Sequence, residues 1–500
     1  MFTLGLDIGT TGAKAIVFDE TGNQLGYGFQ EYSITSFSDG RHEQNAEEIW
    51  EKAKKVIKKA TAIHGREVGA ISLSVQGDAV IPIDKNRHAI GPAQLGMDYR
   101  GKKEVEICCN RLGERNIFLT TGIRPHPLNS AIKIMWSSRN DREIFEKAFK
   151  YVTFSDFILG KLGSDEIVID YTQASRTMAF DLKKRDWSEE IIHALDFSKD
   201  KLAVPVPSCT VVGTISTKIA EELNISPKAV LVTGGHDQTC AALGAGVVHE
   251  KIALDSHGTA EVVSTVFDSV RLNDKMFDSF YPCYCSLIKG LFFTFSLNHT
   301  GGVLLKWFAE EFCREDMAEA AKQNISIYEY IFRNLKKSPS PIMIMPYLNG
   351  SGTPTCDLKQ KGAILGLTLH SDRYDVAKAV LEALSFEVRL NIETMRETEI
   401  EIKELRSVGG GARSPFGLQN KADILGIPVS SLKTREAACL GAAIAAGIAV
   451  GIYRGIEDID TIVKKDITYY PNEKLCCKYS ERYEIYKSMY VSMKELIYKI

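Results

Sequence analysis

The chain is predicted to fold as two related α/β domains that face a shared cleft. Three observations carry this reading. Its 500 residues exceed what one hydrophobic core serves, so at least two domains are expected. Apolar strand-like runs alternate with longer helical stretches, the pattern of layered α/β structure. A strand, Gly/Thr turn and strand near the start recur halfway along the chain, the mark of an internal duplication.

The first copy is Leu4-Gly5-Leu6-Asp7-Ile8-Gly9-Thr10-Thr11-Gly12-Ala13-Lys14, running on to Val17-Phe18-Asp19. Apolar residues on both sides of a Gly/Thr turn read as a β-hairpin, and Asp19-Glu20-Thr21-Gly22 supplies the next turn. The second copy is Ile252-Ala253-Leu254-Asp255-Ser256-His257-Gly258-Thr259, followed by Val266-Phe267-Asp268. Gly-Thr precedes Val-Phe-Asp by the same interval in both, and each has an Asp near the end of its first strand. Further strands are expected at Val68–Val75, Val230–Gly234, Pro341–Met345 and Glu404–Val408. Helices are expected at Glu43–Ala62 and Tyr374–Arg396. The run Ala437–Ile452 is Ala/Gly-rich and shorter than the ~20 residues that span a bilayer, so it reads as a buried helix. The first domain is assigned to residues 1–246 and the second, opening at the second hairpin, to 247–500.

Composition excludes several classes. Hydrophobic content of 44%, charged content of 25% and a net charge of −3 give no basic surface for nucleic acid or anionic membrane. The amino terminus lacks the basic and apolar regions of a signal peptide. The eleven cysteines form no C-x₂-C pair, so reduced thiols and a cytoplasmic setting are expected.

Four segments carry chemistry. In Asp7-x-Gly9-Thr10-Thr11-Gly12-x-Lys14 the glycines let backbone approach a ligand. The N–H groups of the turn, two hydroxyls and a Lys suit phosphate oxygens. Asp7 suits a hydrated Mg²⁺, which takes oxygen ligands and keeps waters. Thr233-Gly234-Gly235-His236-Asp237-Gln238 follows an apolar strand and puts a carboxylate at its carboxyl end, where open α/β sheets bind ligands. Asp237 can take the proton of an attacking alcohol. His236 is the other candidate base, and a plain helix-capping Asp is the structural alternative. Gln76-Gly77-Asp78 with Asp98-Tyr99-Arg100 offers polar groups for a polyhydroxylated ligand; an Asp98–Arg100 ion pair explains the second segment equally well. Gly409-Gly410-Gly411-Ala412-Arg413-Ser414 lies between strand and helix and suits a nucleotide. It lacks the spacing of a dinucleotide fingerprint and the Lys of a Walker loop.

These segments, taken in chain order, resemble the FGGY family of carbohydrate kinases. The resemblance runs over nearly the whole chain and includes Glu43-Gln44 with Trp50, Pro127 to Trp136 with Lys133, Gly301-Gly302 with Trp307, Gly362 to Leu369 and Gly441-Ala442-Ala443. It implies two duplicated RNase H-like (actin-like ATPase) domains with an interdomain cleft, Mg-ATP as phosphoryl donor and, for many members, a homodimer. By resemblance Asp237 is the catalytic base. Gly77, Asp78, Asp98 and Gln238 contact the sugar, and Asp7 holds Mg through water. Thr10, Thr11, Lys14, Thr259, Gly302, Gly411 and Ser414 bind ATP. The acceptor residues depart from the familiar subfamilies. Gln76-Gly77-Asp78 stands where xylulose kinases carry Gln-Met-His and glycerol kinases an Arg-Glu pair, and Met97 replaces the usual Trp. A small ketose or polyol of four or five carbons is expected, phosphorylated at the expense of ATP. The competing reading is an actin-like ATPase switch without sugar kinase activity, which has no need of Asp78, Asp98 and Asp237 together.

Overall fold

The computed structural model describes residues 1–500. The first sheet has six strands: β1 (Phe2–Ile8), β2 (Gly12–Phe18), β3 (Gln24–Glu31), β4 (Val68–Val75), β5 (Val211–Thr214) and β6 (Val230–His236), in the order β5-β6-β4-β1-β2-β3. β1, β2 and β3 form an antiparallel meander, β4 and β6 add in parallel, and β5 closes the edge antiparallel. The second sheet contains β7 (Lys251–His257), β8 (Glu261–Phe267), β9 (Tyr284–Cys285), β10 (Phe292–Asn298), β11 (Ile402–Gly409), β12 (Val429–Leu432) and β13 (Lys465–Tyr469). Its order, β9-β10-β8-β7-β11-β12-β13, repeats the first sheet strand for strand and adds β9 outside β10.

The duplication extends to single residues. In the first sheet Asp7 lies opposite Ser74 of β4. In the second, Asp255 lies opposite Ser407 of β11. Each serine hydroxyl donates to its aspartate, at 2.7 Å and 2.6 Å.

Helix α1 runs Ala46–Ala60 behind the side-chain cap of Asn45. The expected helix over Glu43–Ala62 therefore starts later, because Asn45 satisfies the first free N–H groups and His42–Gln44 is drawn into a short strand. Along the chain follow α2 (Ser130–Asn140), α3 (Tyr171–Arg176), α4 (Asp237–Gly244), α5 (Gly302–Phe312), α6 (Arg373–Arg396), α7 (Pro415–Leu425) and α8 (Ala437–Ala449). Most of α8 is buried. Although late in sequence, α8 packs against β1 and against α4. A Cβ at Gly5 would stand 1.9 Å from the Cys439 carbonyl oxygen, and one at Gly441 1.8 Å from that of Cys240. Only glycine permits these approaches. They seat the second domain's helix, backbone to backbone, against β1 and against the helix that starts at Asp237. No helix is long and apolar enough to cross a membrane.

Candidate active site

The first loop, Gly9 to Gly12, is braced through its carbonyls. Tyr32 Oη donates to Gly9 at 2.5 Å, Gln44 Nε2 to Thr10 at 2.7 Å, and the Tyr32 N–H to Thr11 at 3.1 Å. The Gly9 N–H is spent within the turn, on the Gly12 carbonyl at 3.0 Å, whereas the Thr10 and Thr11 N–H groups have no backbone acceptor, donors of the kind that suit an anion. Beside the loop, Asp7 accepts the Ser74 hydrogen bond, and burial holds its carboxyl above the ordinary range against the opposing pull of Ser74 and Lys14. Lys14 points across to the other domain and pairs with Glu436, just ahead of α8.

The second loop is tied to the nucleotide-side segments. The Gly302 N–H donates to Gly258 at 2.8 Å and the Gly301 N–H to Thr259 at 2.9 Å, joining the loop to the start of α5. Gly411 lies on the His257 ring, where a Cβ would stand 2.3 Å from Nδ1. Ser414 caps α7 by accepting from the Gly417 N–H at 2.9 Å. Thr259, Gly302, Gly411 and Ser414 thus belong to one region.

Near Asp7, Asp237 opens α4 at the end of β6, with about a third of its side chain exposed. Burial, reinforced by the like charge of Asp7, pushes its carboxyl up to about 7. His236 Nε2 stands 3.1 Å from Asp237 Oδ1. The His236 ring is held neutral, its pKa driven well down by burial and then by Arg176. The second domain's Tyr284 hydroxyl lies 3.4 Å from His236 Nδ1. Gln238 brings a buried Oε1 with no protein partner.

Asp78 lies beside this group and pairs with Arg176 at the end of α3. Asp98 does not join it. The Asp98 side chain is fully buried and its oxygens are taken by Arg100, at 2.9 and 2.7 Å, and by the His42 N–H at 2.8 Å. Its expected sugar contact gives way to an ion pair, because a guanidinium two residues away reaches back over the same turn. Burial alone would raise the Asp98 carboxyl, but these hydrogen bonds bring it below the usual range. Arg176, Tyr284 and Glu436 are the residues that sequence reasoning missed. Arg176 ends a helix, Tyr284 lies in a short strand and Glu436 stands just ahead of a helix, and only the fold brings them together.

Two Gly/Thr loops, one from each copy of a duplicated domain, accompany a carboxylate at a strand end. That combination defines a phosphotransferase built on the actin-like plan. Known proteins agree. Residues 2–244 match the N-terminal domain of the FGGY family of carbohydrate kinases, and residues 256–450 match its C-terminal domain. The chain is 27% identical to a xylulose kinase of Lactococcus lactis, over 100% of this chain and 98% of the relative. It is 28% identical to glycerol kinase 2 of Thermotoga maritima, over 96% and 97%. The solved gluconate kinase of Lactobacillus acidophilus superposes with a TM-score of 0.88 at 22% identity, covering 98% of both chains. The protein belongs to the FGGY family of carbohydrate kinases and is a phosphotransferase that uses ATP.

Proposed function

We propose that the protein transfers the γ-phosphoryl group of ATP to a hydroxyl of a four- or five-carbon ketose or polyol, with Asp237 as general base. The proton of the acceptor hydroxyl passes to the Asp237 carboxylate as the oxygen attacks the γ-phosphorus. The bond from that phosphorus to the β–γ bridging oxygen breaks, and ADP leaves. The observation that carries this reading is Asp237 itself: a carboxylate at a strand end, near Asp7 of the first loop's strand, with a pKa near the working range of a base. Neutral His236, pressed against Asp237, holds that carboxylate in place.

Thr10, Thr11 and Lys14 hold the terminal phosphates, with Thr259 from the opposite side. Gly302, Gly411 and Ser414 receive the nucleoside end. The donor set fits magnesium, because Asp7 offers an oxygen ligand with one protein hydrogen bond near a second carboxylate, and Asp7 would hold the ion through water. When bound, the ion neutralises charge on the transferring phosphate.

The test is Asp237→Asn, assayed by coupled ADP release over tetruloses, pentuloses, pentitols and glycerol. Turnover should fall by about 10²- to 10⁴-fold while calorimetry still finds ATP binding. Retention of more than about a tenth of wild-type turnover overturns the base assignment.

A further inference from the structure

The acceptor end of the site holds a cation that its sequence did not advertise, and the state of that cation bears on substrate class. Arg176 is almost wholly buried, its guanidinium 5.7 Å from the ring centre of Tyr284 and 5.8 Å from that of Phe295. One terminal nitrogen pairs with Asp78 Oδ2. Arg176 Nε and Asp78 Oδ1 are both buried and have no protein partner.

Gly77 explains how this pair comes to face Asp237. A Cβ at Gly77 would stand 2.7 Å from the His236 ring and 3.6 Å from Arg176 Nε. The space a larger residue would fill is occupied by the imidazole, with the guanidinium alongside. Asp78 is itself fixed. It adopts the left-handed region at φ 65°, a costly conformation for a residue other than glycine. Its carbonyl accepts from Ser130 Oγ at 3.0 Å and Lys133 Nζ at 2.7 Å, both on α2.

We propose that Arg176 and Asp78 form a charge-neutral recognition pair that selects an uncharged acceptor with adjacent oxygen functions, and that Asp78 is the residue that excludes aldonates. The inference rests on the kinase reading above. Arg176 Nε and Asp78 Oδ1, unpartnered and on side chains already bonded to each other, match a vicinal diol or an α-hydroxy ketone: one oxygen accepts from Nε and a hydroxyl donates to Oδ1. A carboxylate meets different conditions. The positive charge of Arg176 is cancelled by Asp78, and Asp237 adds negative charge nearby. Lys133 is fully buried, bonded to two carbonyls, and drawn by burial to about 7. His126 is kept neutral by burial. No uncommitted cation remains for a carboxylated sugar, which wants a free guanidinium.

Two matched pairs, xylitol against xylonate and glucitol against gluconate, differ only in the carboxylate and test this with the wild-type enzyme. In each pair that is phosphorylated, kcat/KM for the polyol should exceed that for the aldonate by about 100-fold or more, the order expected when a polar site is left mismatched. Asp78→Asn should lower kcat/KM for the best neutral acceptor by about 10-fold and raise it for the aldonate by a similar factor, by freeing the Arg176 charge. Adding Arg176→Met should erase the aldonate gain. Preference of the wild-type enzyme for an aldonate overturns the proposal. So does an Asp78→Asn variant that folds, judged by its melting curve, yet loses all acceptors in equal proportion. ATP hydrolysis indifferent to every acceptor would instead overturn the kinase reading, and this inference with it.

Discussion

The two copies of the hairpin share one architecture and use it in opposite ways. Asp7 and Asp255 occupy the same place, each accepting from a serine on the same neighbouring parallel strand. Around Asp7 the protein stops there, and burial leaves that carboxyl above its ordinary value of 3.8. Around Asp255 it continues. Lys421 of α7 is fully buried and donates to Asp255 Oδ2 at 2.6 Å and to Glu261 Oε1 at 2.5 Å. Burial would raise Asp255 too, but Lys421 and then His257 bring it below the ordinary range. The first copy keeps its carboxylate available. The second turns its carboxylate into a staple that fastens β7 and β8, on either side of the Gly258-Thr259 turn, to α7. Duplication supplied two equivalent positions, and one buried lysine divided their labour.

The sharpest break of this comparison is Lys421→Met. It leaves two buried carboxylates without a counter-charge, and losing one partner of such a cluster costs ~3–5 kcal/mol. A large fall in melting temperature is expected, with recovery when Asp255→Asn and Glu261→Gln are added. The equivalent change in the first loop, Lys14→Met, removes a partly exposed pair worth ~0–1 kcal/mol. It should leave the melting curve nearly unmoved while raising KM for ATP. Equal destabilisation by the two lysine variants would erase the distinction.

The two aspartates should also carry opposite pH signatures. Folding raises the Asp7 pKa, so its ionisation costs stability as pH rises above 3.8 towards the folded value. Asp7→Asn should therefore match or exceed the wild-type melting temperature near pH 7, yet lose about 10²-fold in kcat. Folding lowers the Asp255 pKa, so its contribution is present above 3.8 and fades as pH falls through the folded value. Asp255→Asn should be destabilised near pH 7 by more than at pH 3. Melting curves of both variants from pH 3 to 8 decide it.

At the site, an Asp237 with a pKa of about 7 must be ionised to act. The logarithm of kcat should climb with unit slope below that pH and flatten above it. A flat profile from pH 5 to 8 would remove the proton-acceptor role.

What sequence could and could not reveal follows from the same contrast. The Gly-Thr echo, the strand before Asp237 and the buried run at Ala437 were legible because local pattern encodes them. The register that sets Asp7 on Ser74 and Asp255 on Ser407 was not, because strand pairing across dozens of residues has no local signature. Lys421 and Arg176 look like ordinary helical cations; their partners lie 166 and 98 residues away. Asp98 was open in the sequence, its segment reading equally as a sugar contact or as an ion pair with Arg100. Its pattern suits a sugar, but the nearest cation, Arg100, was close enough to claim it.

The smallest expected effect concerns the only charge pair of the first loop. Lys14 and Glu436 are 422 residues apart, and their bond ties the loop to the segment just ahead of α8. If Lys14 holds the terminal phosphates of ATP, as proposed above, Glu436 competes with the nucleotide for the same ammonium. Removing it by Glu436→Gln frees Lys14 at the cost of one part-exposed pair, an exchange of ~0.5–1 kcal/mol and so about 2- to 5-fold in affinity. Calorimetry at low ionic strength should find ATP bound more tightly by that factor. The gain should shrink towards nothing at 0.5 M salt, where screening weakens a part-exposed pair. A weaker ATP affinity at low salt would mean that Glu436 holds Lys14 in its working position. The pair would then act as a brace, and the two loops would resemble each other more than their lysines suggest.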